Sequence, residues 1–249
     1  MNTLLTKIDQ AVILAGGRGE RLRPLTDNIP KPLAPVGGIP FMDYLIQSLI
    51  DVDIMKILIL VGYKADLIMR RYGKSLNNGV RIEYSIGDVK YETGRRLLNA
   101  YELLDKTFLL LYGDNYWLIE LRNMLRLYQQ KAAKVLVTVF SNKNGTGEYG
   151  YKNNIKVGND NFVEKYDKSK RSKELNGIDI GYFLVDKSIL DLSVKENISF
   201  EEVILSRLIL DKQLVAYITD NQYYYITDIN SLKVFEAFVL KNNIRSIRL

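Results

Sequence analysis

The chain has 249 residues, room for one α/β domain with a sizeable core or at most two unequal ones. It contains neither cysteine nor histidine, which excludes disulfide frameworks, thiolate zinc sites, iron–sulfur clusters and cysteine nucleophiles; any base must be a carboxylate, lysine or tyrosine, and any metal must be a hard ion held by oxygens, such as Mg2+. The formal charge is +6, but Lys and Arg are spread along the chain instead of forming one stripe, which suits small phosphorylated substrates better than nucleic acid.

The first half alternates short apolar runs with helical patterns, the signature of β-α units around a mostly parallel, buried sheet. Strands are predicted at Gln10–Ala15, Lys56–Val61, Arg81–Ile86, 107–111 and 134–140. A helix follows Pro40, with Met42, Leu45, Ile46, Leu49 and Ile50 on one face, and others are predicted over 92–104 and 118–131. Beyond Ser141 the texture turns to Gly, Asn and Lys, and 142–147 reads as a loop. Residues 149–157 and 161–166 flank Gly158-Asn159-Asp160 as a hairpin. A strand at 178–185, a helix at 200–210, a strand pair formed by 214–219 with 223–227, and a helix at 229–242 complete the prediction. A nucleotide-binding half of about 1–140 is expected to precede a smaller half of about 141–249 for the second substrate. No apolar run reaches 18 residues, and the first ten positions carry charges where a signal peptide needs an apolar core, so a cytoplasmic location and no membrane association are expected.

Directly after the first strand stand Leu14-Ala15-Gly16-Gly17-Arg18-Gly19-Glu20-Arg21-Leu22. Three glycines let the backbone turn sharply and bring N–H groups against phosphate with no Cβ in the way, while Arg21 adds a full charge. A plain strand-to-helix turn would use the same glycines. A dinucleotide fingerprint is disfavoured because Pro24 closes off the helix it needs, and the Walker pattern fails because no Gly-Lys-Ser/Thr follows. In the continuation, Pro30 and Pro32 fence Lys31, so its ammonium is presented from a stiff loop suited to clamping phosphate.

Residues 14–22 and 30–33 together resemble the sugar-1-phosphate nucleotidyltransferases, whose opening reads L-A-G-G-x-G-x-R-L followed by P-K-P-L; weaker similarity extends over nearly the whole chain. The branch it looks nearest to is mannose- or heptose-1-phosphate guanylyltransferase-like. The resemblance implies a Rossmann-like three-layer α/β fold with a mostly parallel mixed sheet, one domain over 1–249, and a smaller sugar-binding half. It implies that Leu14, Ala15, Gly16, Gly17, Gly19 and Arg21 hold the nucleotide, and that Arg21 and Lys31 are the catalytic cations. Glu92, Thr93 and Gly94 occupy the place of the family's loop over the nucleobase, from which Tyr91 and Arg95-Arg96 depart. Those arginines either reach phosphate or sugar or cover a helix face.

Asp114 follows the strand at 107–111, beyond the carboxyl end where ligands of open α/β sheets gather, and resembles the family's Gly-Asp metal ligand. Asp228 resembles its second metal aspartate, from the motif Asp-Ile-Gly, with Asn230 in place of the glycine. Both would share one Mg2+. Apart from the family, Asp114 reads as a turn residue and Asp228 as the cap of a helix. Asp167-Lys168 looks like the family's carboxylate-lysine pair for sugar hydroxyls and sugar phosphate, with Glu164-Lys165 as a competing register. Asp179 and Gly181 lie on the strand that resembles the floor of the sugar site, Asp179 replacing the commoner asparagine. A hairpin with solvated charges is the plainer account of this group.

The activity implied is attack of a sugar 1-phosphate oxygen on the α-phosphorus of a nucleoside triphosphate, in line with departing pyrophosphate. A phosphate monoester needs no general base near neutrality, so a chain without histidine suffices. Catalysis would be positioning plus neutralisation by Arg21, Lys31, Lys168 and Mg2+. GTP with a mannose- or heptose-like acceptor is the expected pair, in nucleotide-sugar supply for polysaccharide biosynthesis, with UTP, CTP and dTTP open. Partners are small molecules, not nucleic acid or membrane; a homo-oligomer is compatible with the sequence. A non-catalytic, nucleotide-sugar-sensing subunit of the same fold is the alternative that Asn230, Arg95 and Arg96 suggest.

Overall fold

Apolar runs that lack polar alternation become strands buried on both faces, as in parallel sheets. The computed structural model describes residues 7–77 and 79–247; the first six residues, part of the stretch read for a targeting signal, lie outside them. In chain order come β1 (Gln10–Ala15), β2 (Pro35–Val36), β3 (Ile39–Pro40), α1 (Phe41–Ile50), β4 (Lys56–Val61), α2 (Ala65–Tyr72), β5 (Arg81–Ile86), α3 (Thr93–Asn99), β6 (Thr107–Tyr112) and β7 (Asn115–Tyr116). They are followed by α4 (Leu121–Lys131), β8 (Val135–Phe140), β9 (Ile155–Val157), β10 (Val163–Tyr166), β11 (Ile178–Asp186), α5 (Ser206–Leu210), β12 (Leu214–Thr219), β13 (Tyr224–Tyr225) and α6 (Ile229–Asn242). No helix among the described residues is long and apolar enough to cross a membrane.

The chain forms two compact units that interleave in sequence. The first, here the glycine-loop unit, comprises Asp9–Tyr91, Leu111–Ile119 and the residues from 224 onward. In it β1 pairs parallel with β4, and β4 parallel with β5. The face predicted for α1 is buried at Met42, Leu45, Ile46 and Leu49. Asp43, on the same helix, is buried as well; Arg71 Nε and the Tyr72 hydroxyl donate to it at 3.1 and 2.6 Å, tying α1 to α2. That buried charge is tolerated because its lone pairs are filled.

The last helix belongs to this unit because of aromatic packing. Phe235 of α6 meets Phe41 and Tyr44 of α1 edge-on at 5.0 and 5.7 Å, and Tyr116 of β7 at 4.9 Å. Tyr224 of β13 stacks on Phe238 at 4.0 Å. Such contacts add about 0.5–1.5 kcal/mol each beyond the area they bury.

The hairpin unit comprises Glu92–Leu110 and Glu120–Tyr223. Here β8 pairs parallel with β12 and antiparallel with β11, so the sheet is mixed. The hairpin is present as β9 and β10, closed by Gly158 N–H to the Phe162 carbonyl at 2.9 Å, with a bulge between Val163 and Lys165. The bulge interrupts the simple strand alternation of side chains at Glu164-Lys165, the competing register of the carboxylate-lysine pair.

Three expectations are corrected. The segments at 214–219 and 223–227 do not pair with each other: β12 lies along β8, and β13 pairs with β7. Tyr223 explains the separation, since its ring packs on Phe140 at 5.5 Å and its hydroxyl accepts the Glu148 N–H at 3.0 Å, anchoring the chain away from β12. The helix at 200–210 opens as a π-helix over Phe200–Leu205 before α5. The units do not divide near residue 140, because β7, β13 and α6 join the glycine loop, whereas Glu92–Leu110 joins the hairpin.

Candidate active site

The glycine loop leaves the carboxyl end of β1 and is pinned at both ends. Tyr63 N–H donates to the Gly16 carbonyl at 3.1 Å, and the buried Thr26 hydroxyl donates to the Gly19 carbonyl at 2.9 Å. Tyr63 also donates its hydroxyl to the Thr26 carbonyl at 3.1 Å, so one tyrosine staples the loop to the segment that follows it. Gly19 has φ +65°, and a Cβ there would lie 2.7 Å from Lys31 Cβ. Glycine is required at 19 by backbone and by space; at Gly17 no atom lies within 4 Å of the same position. Leu14 and Ala15 end β1 and deliver the loop.

Lys31 opens a single 3-10 turn, Lys31–Leu33, between its two prolines. Its Nζ donates to Asp114 Oδ2 at 2.6 Å, with the lysine side chain only 12% exposed. Asp114 reaches it because Gly113 packs against the end of β1: Gly113 N–H donates to the Leu14 carbonyl at 3.0 Å, and a Cβ on Gly113 would meet that oxygen at 2.7 Å. The β7–β13 ladder then carries the second carboxylate. Ile226 N–H donates to the Asp114 carbonyl at 3.0 Å, which sets Asp228 two residues beyond a direct backbone contact with Asp114.

Asp228 caps α6. Its Oδ1 accepts the Ser231 N–H at 2.8 Å, and the Ser231 hydroxyl accepts the Asp228 N–H at 2.9 Å, a reciprocal capping box. The Ser231 N–H does most to hold its pKa below the usual carboxylate value; the Asn230 N–H and the positive charge of Arg21 add to this. Capping and ligation are therefore not exclusive here, since the carboxylate is held below its usual pKa while it caps the helix. Asn230 lies in the first turn of α6, so the turn after Asp228 needs no glycine.

Among the described residues no three His, Cys, Asp or Glu gather as a metal cage. Two aspartates that flank the β7–β13 ladder nevertheless suit Mg2+, which keeps several waters and uses one or two carboxylates plus substrate phosphate oxygens.

In the hairpin unit Glu92, Thr93 and Gly94 dock on the segment 194–201. Glu92 N–H donates to Asn197 Oδ1 at 2.8 Å, and the Thr93 hydroxyl donates to Glu201 at 2.8 Å while accepting the Phe200 N–H at 2.9 Å. A Cβ on Gly94 would lie 2.8 Å from the Ile198 carbonyl oxygen, which gives that glycine a packing reason of its own. Arg95 donates to the Val194 carbonyl at 3.1 Å and so serves this docking, whereas Arg96 is buried within the unit.

Asp179 is buried on β11. It accepts the Tyr166 hydroxyl at 3.0 Å and the Gly181 N–H at 2.7 Å. Burial raises its pKa to about 7, and the neighbouring Glu201 pushes the same way against those hydrogen bonds. Asp167 behaves oppositely: the hydroxyl of Ser169 and the N–H groups of Ser172, Arg171 and Ser169 hold its pKa at about 2. Those donors occupy both of its oxygens, so the expected acceptor of sugar hydroxyls is instead the hub of its own loop. Lys168 is exposed, 3.8 Å from Glu202.

A family model described as nucleotidyl transferase matches residues 10–233. The chain belongs to the nucleotidyl transferase family. Relatives include the D-glycero-alpha-D-manno-heptose 1-phosphate guanylyltransferase of Campylobacter jejuni, 29% identical over 94% of this chain and 100% of that one. A UTP–glucose-1-phosphate uridylyltransferase, AglF of Haloferax volcanii, is 33% identical over 50% of this chain and 51% of its own. The crystal structure of HddC from Yersinia pseudotuberculosis complexed with GMP-PN is 22% identical, with a TM-score of 0.75 over 93% of this chain and 100% of that chain; the likeness fixes the Rossmann-like α/β fold. The chain is an enzyme of this family, and the structure brings Gly19, Lys31 and Asp114 together, with the charge of Arg21 lowering the pKa of Asp228. Thr26 and Tyr63, which hold the loop, went unnoticed in the sequence. Thr26 lies between the two quoted motifs, and Tyr63 carries no sequence signal.

Proposed function

We propose that the chain transfers a nucleotidyl group from GTP to a mannose- or heptose-like sugar 1-phosphate, giving an NDP-sugar and pyrophosphate. The observation that carries this reading is the ion pair of Lys31 with Asp114 beside a glycine loop in which no atom lies within 4 Å of the place a Cβ on Gly17 would take. Backbone N–H groups and Arg21 bind the triphosphate, Lys31 sits on the phosphates at the reaction centre, and the acceptor phosphate, already deprotonated, attacks without a base. Asp114 and Asp228 would hold Mg2+, which neutralises charge on the phosphates and the leaving pyrophosphate. GTP is preferred because the guanylyltransferase of C. jejuni aligns over nearly the whole chain. UTP is the second reading, favoured by the higher identity of the uridylyltransferase over half of it. A cytoplasmic role in nucleotide-sugar supply for polysaccharide synthesis goes with this function.

The test is Mg2+-dependent pyrophosphate release from each of the four NTPs with mannose, heptose and glucose 1-phosphates. Turnover with GTP and a mannose- or heptose-type acceptor supports the reading; binding of NDP-sugars without any turnover would replace it with the sensing subunit. A thermal-shift series with the four NTPs and Mg2+ identifies the base independently, since a ligand of the native state raises its stability.

A further inference from the structure

Segment 165–173 carries Lys165, Lys168, Lys170, Arg171 and Lys173, five cations in nine positions of a chain whose charge is otherwise dispersed. It is an organised loop. Asp167 lies inside it and accepts the N–H groups of Ser169, Arg171 and Ser172 at 2.9, 3.1 and 3.1 Å, together with the Ser169 hydroxyl. Backbone donors that turn inward onto one carboxylate leave the intervening side chains pointing out. The result is an acidic hub with a basic rim.

The cations of the rim differ in what they already do. Lys165 Nζ donates to Ser172 Oγ at 3.1 Å, and Lys170 Nζ rests 3.5 Å from the centre of the Tyr149 ring. Lys168 is 3.8 Å from Glu202, with both side chains more than half exposed at 54% and 59%. Arg171 and Lys173 are exposed and have no carboxylate at ion-pair distance among the described residues. The loop continues directly from β10, whose Tyr166 hydroxyl bonds Asp179, so the rim borders the candidate acceptor residues of the same unit.

We infer that this loop is an anion-gathering rim that speeds capture of the sugar 1-phosphate, and that Asp167 is a positioning residue holding the rim in shape. The inference rests on the function proposed above. An array of fixed like charges raises the local concentration and on-rate of an oppositely charged ligand, and the effect falls steeply with salt. Arg171 and Lys173 act at a distance here, outside the groups that touch the reacting phosphates.

The experiment is steady-state kinetics of the full chain with GTP, Mg2+ and mannose 1-phosphate at low and high NaCl, for wild type, Arg171→Glu/Lys173→Glu, Asp167→Ala and Asp167→Asn, with thermal melts to verify folding. The double variant is expected to lose about tenfold in kcat/KM for the sugar phosphate at low salt, with kcat unchanged and the loss shrinking to about twofold or less at high salt. Asp167→Ala adds one unit of positive charge, which by charge alone would improve capture; it is expected to worsen it, because the rim loses its hub, and Asp167→Asn to recover part of the loss. An unchanged kcat/KM and salt slope in the double variant overturns the rim, and improved capture in Asp167→Ala overturns the positioning role. Absence of turnover with every sugar 1-phosphate by the wild type overturns the proposed function itself, a result distinguishable from both.

Discussion

Lys31 donates its ammonium to Asp114 at 2.6 Å across 83 positions of sequence, and that bond joins the phosphate clamp to the carboxylate proposed for the metal. Replacing Lys31 by alanine removes a cation from the reaction centre and leaves Asp114 without its partner. By analogy with the loss of a single stabilising donor elsewhere, kcat should fall about 10²- to 10³-fold. Pyrophosphate release at saturating NTP measures it; a change confined to KM would mean that Lys31 binds ground state and transition state equally.

The two glycines at 17 and 19 should respond differently to one methyl group. Gly19→Ala forces alanine to φ +65° and into Lys31 Cβ at 2.7 Å, so a loss of about 1 kcal/mol or more in stability and a raised KM for NTP are expected. Gly17→Ala meets no atom within 4 Å in the free protein and should melt like wild type. If Gly17→Ala nonetheless loses NTP affinity, the obstruction lies with the bound phosphates, which would locate them at that point of the loop.

Asp228 can be divided into its two roles. Ser231→Ala breaks the capping box and should cost about 1 kcal/mol of stability with kcat nearly unchanged. Asp228→Asn keeps an oxygen that can cap α6 but loses the charge; it should melt close to wild type and require more Mg2+ for half-maximal activity. Equal metal requirements in Asp228→Asn and wild type would restrict this residue to capping.

Asp179 makes stability depend on pH in an uncommon direction. Its pKa of about 7 in the fold lies above the ordinary 3.8, so between those values the folded chain holds a proton that the unfolded chain has released. Stability from this group is therefore greatest below pH 3.8, falls as pH rises towards 7 and is level above it. Asp179→Asn removes the titration, and its Tm advantage over wild type should widen by at least about 2–4 °C from about pH 5 to pH 8, the effect of ~1 kcal/mol in a chain of this size. Parallel Tm curves for the two proteins would show that Asp179 does not titrate in that window.

The strands β1, β4 and β5 were legible to the residue, β1 and β4 because buried parallel strands are uninterrupted apolar runs with sharp polar ends, β5 because its apolar and polar residues alternate. Lys31 and Asp114 were legible through short, chemically unusual motifs. What escaped was anything decided by tertiary partners. Tyr63 lies in an unremarkable Gly-Tyr-Lys stretch, and only the fold brings its N–H to Gly16. Asp167 looked like a sugar ligand because sequence shows the carboxylate and not the three backbone donors that surround it. The hairpin bulge likewise shifts which side chains share a face, and no residue between Val163 and Lys165 signals it.

Because Asp228 and Phe235 join a unit whose other parts are Asp9–Tyr91 and Leu111–Ile119, that unit can close only after the intervening hairpin unit has been synthesised. Gly37 N–H and Glu236 Oε1, bonded at 2.8 Å, are 199 positions apart. The residues of the hairpin unit are complete at position 223, whereas the carboxylate at 228 and the aromatic residues of α6 follow them. Contacts of such separation are slow to close, so catalytic competence should lag behind compaction both during translation and on dilution from denaturant.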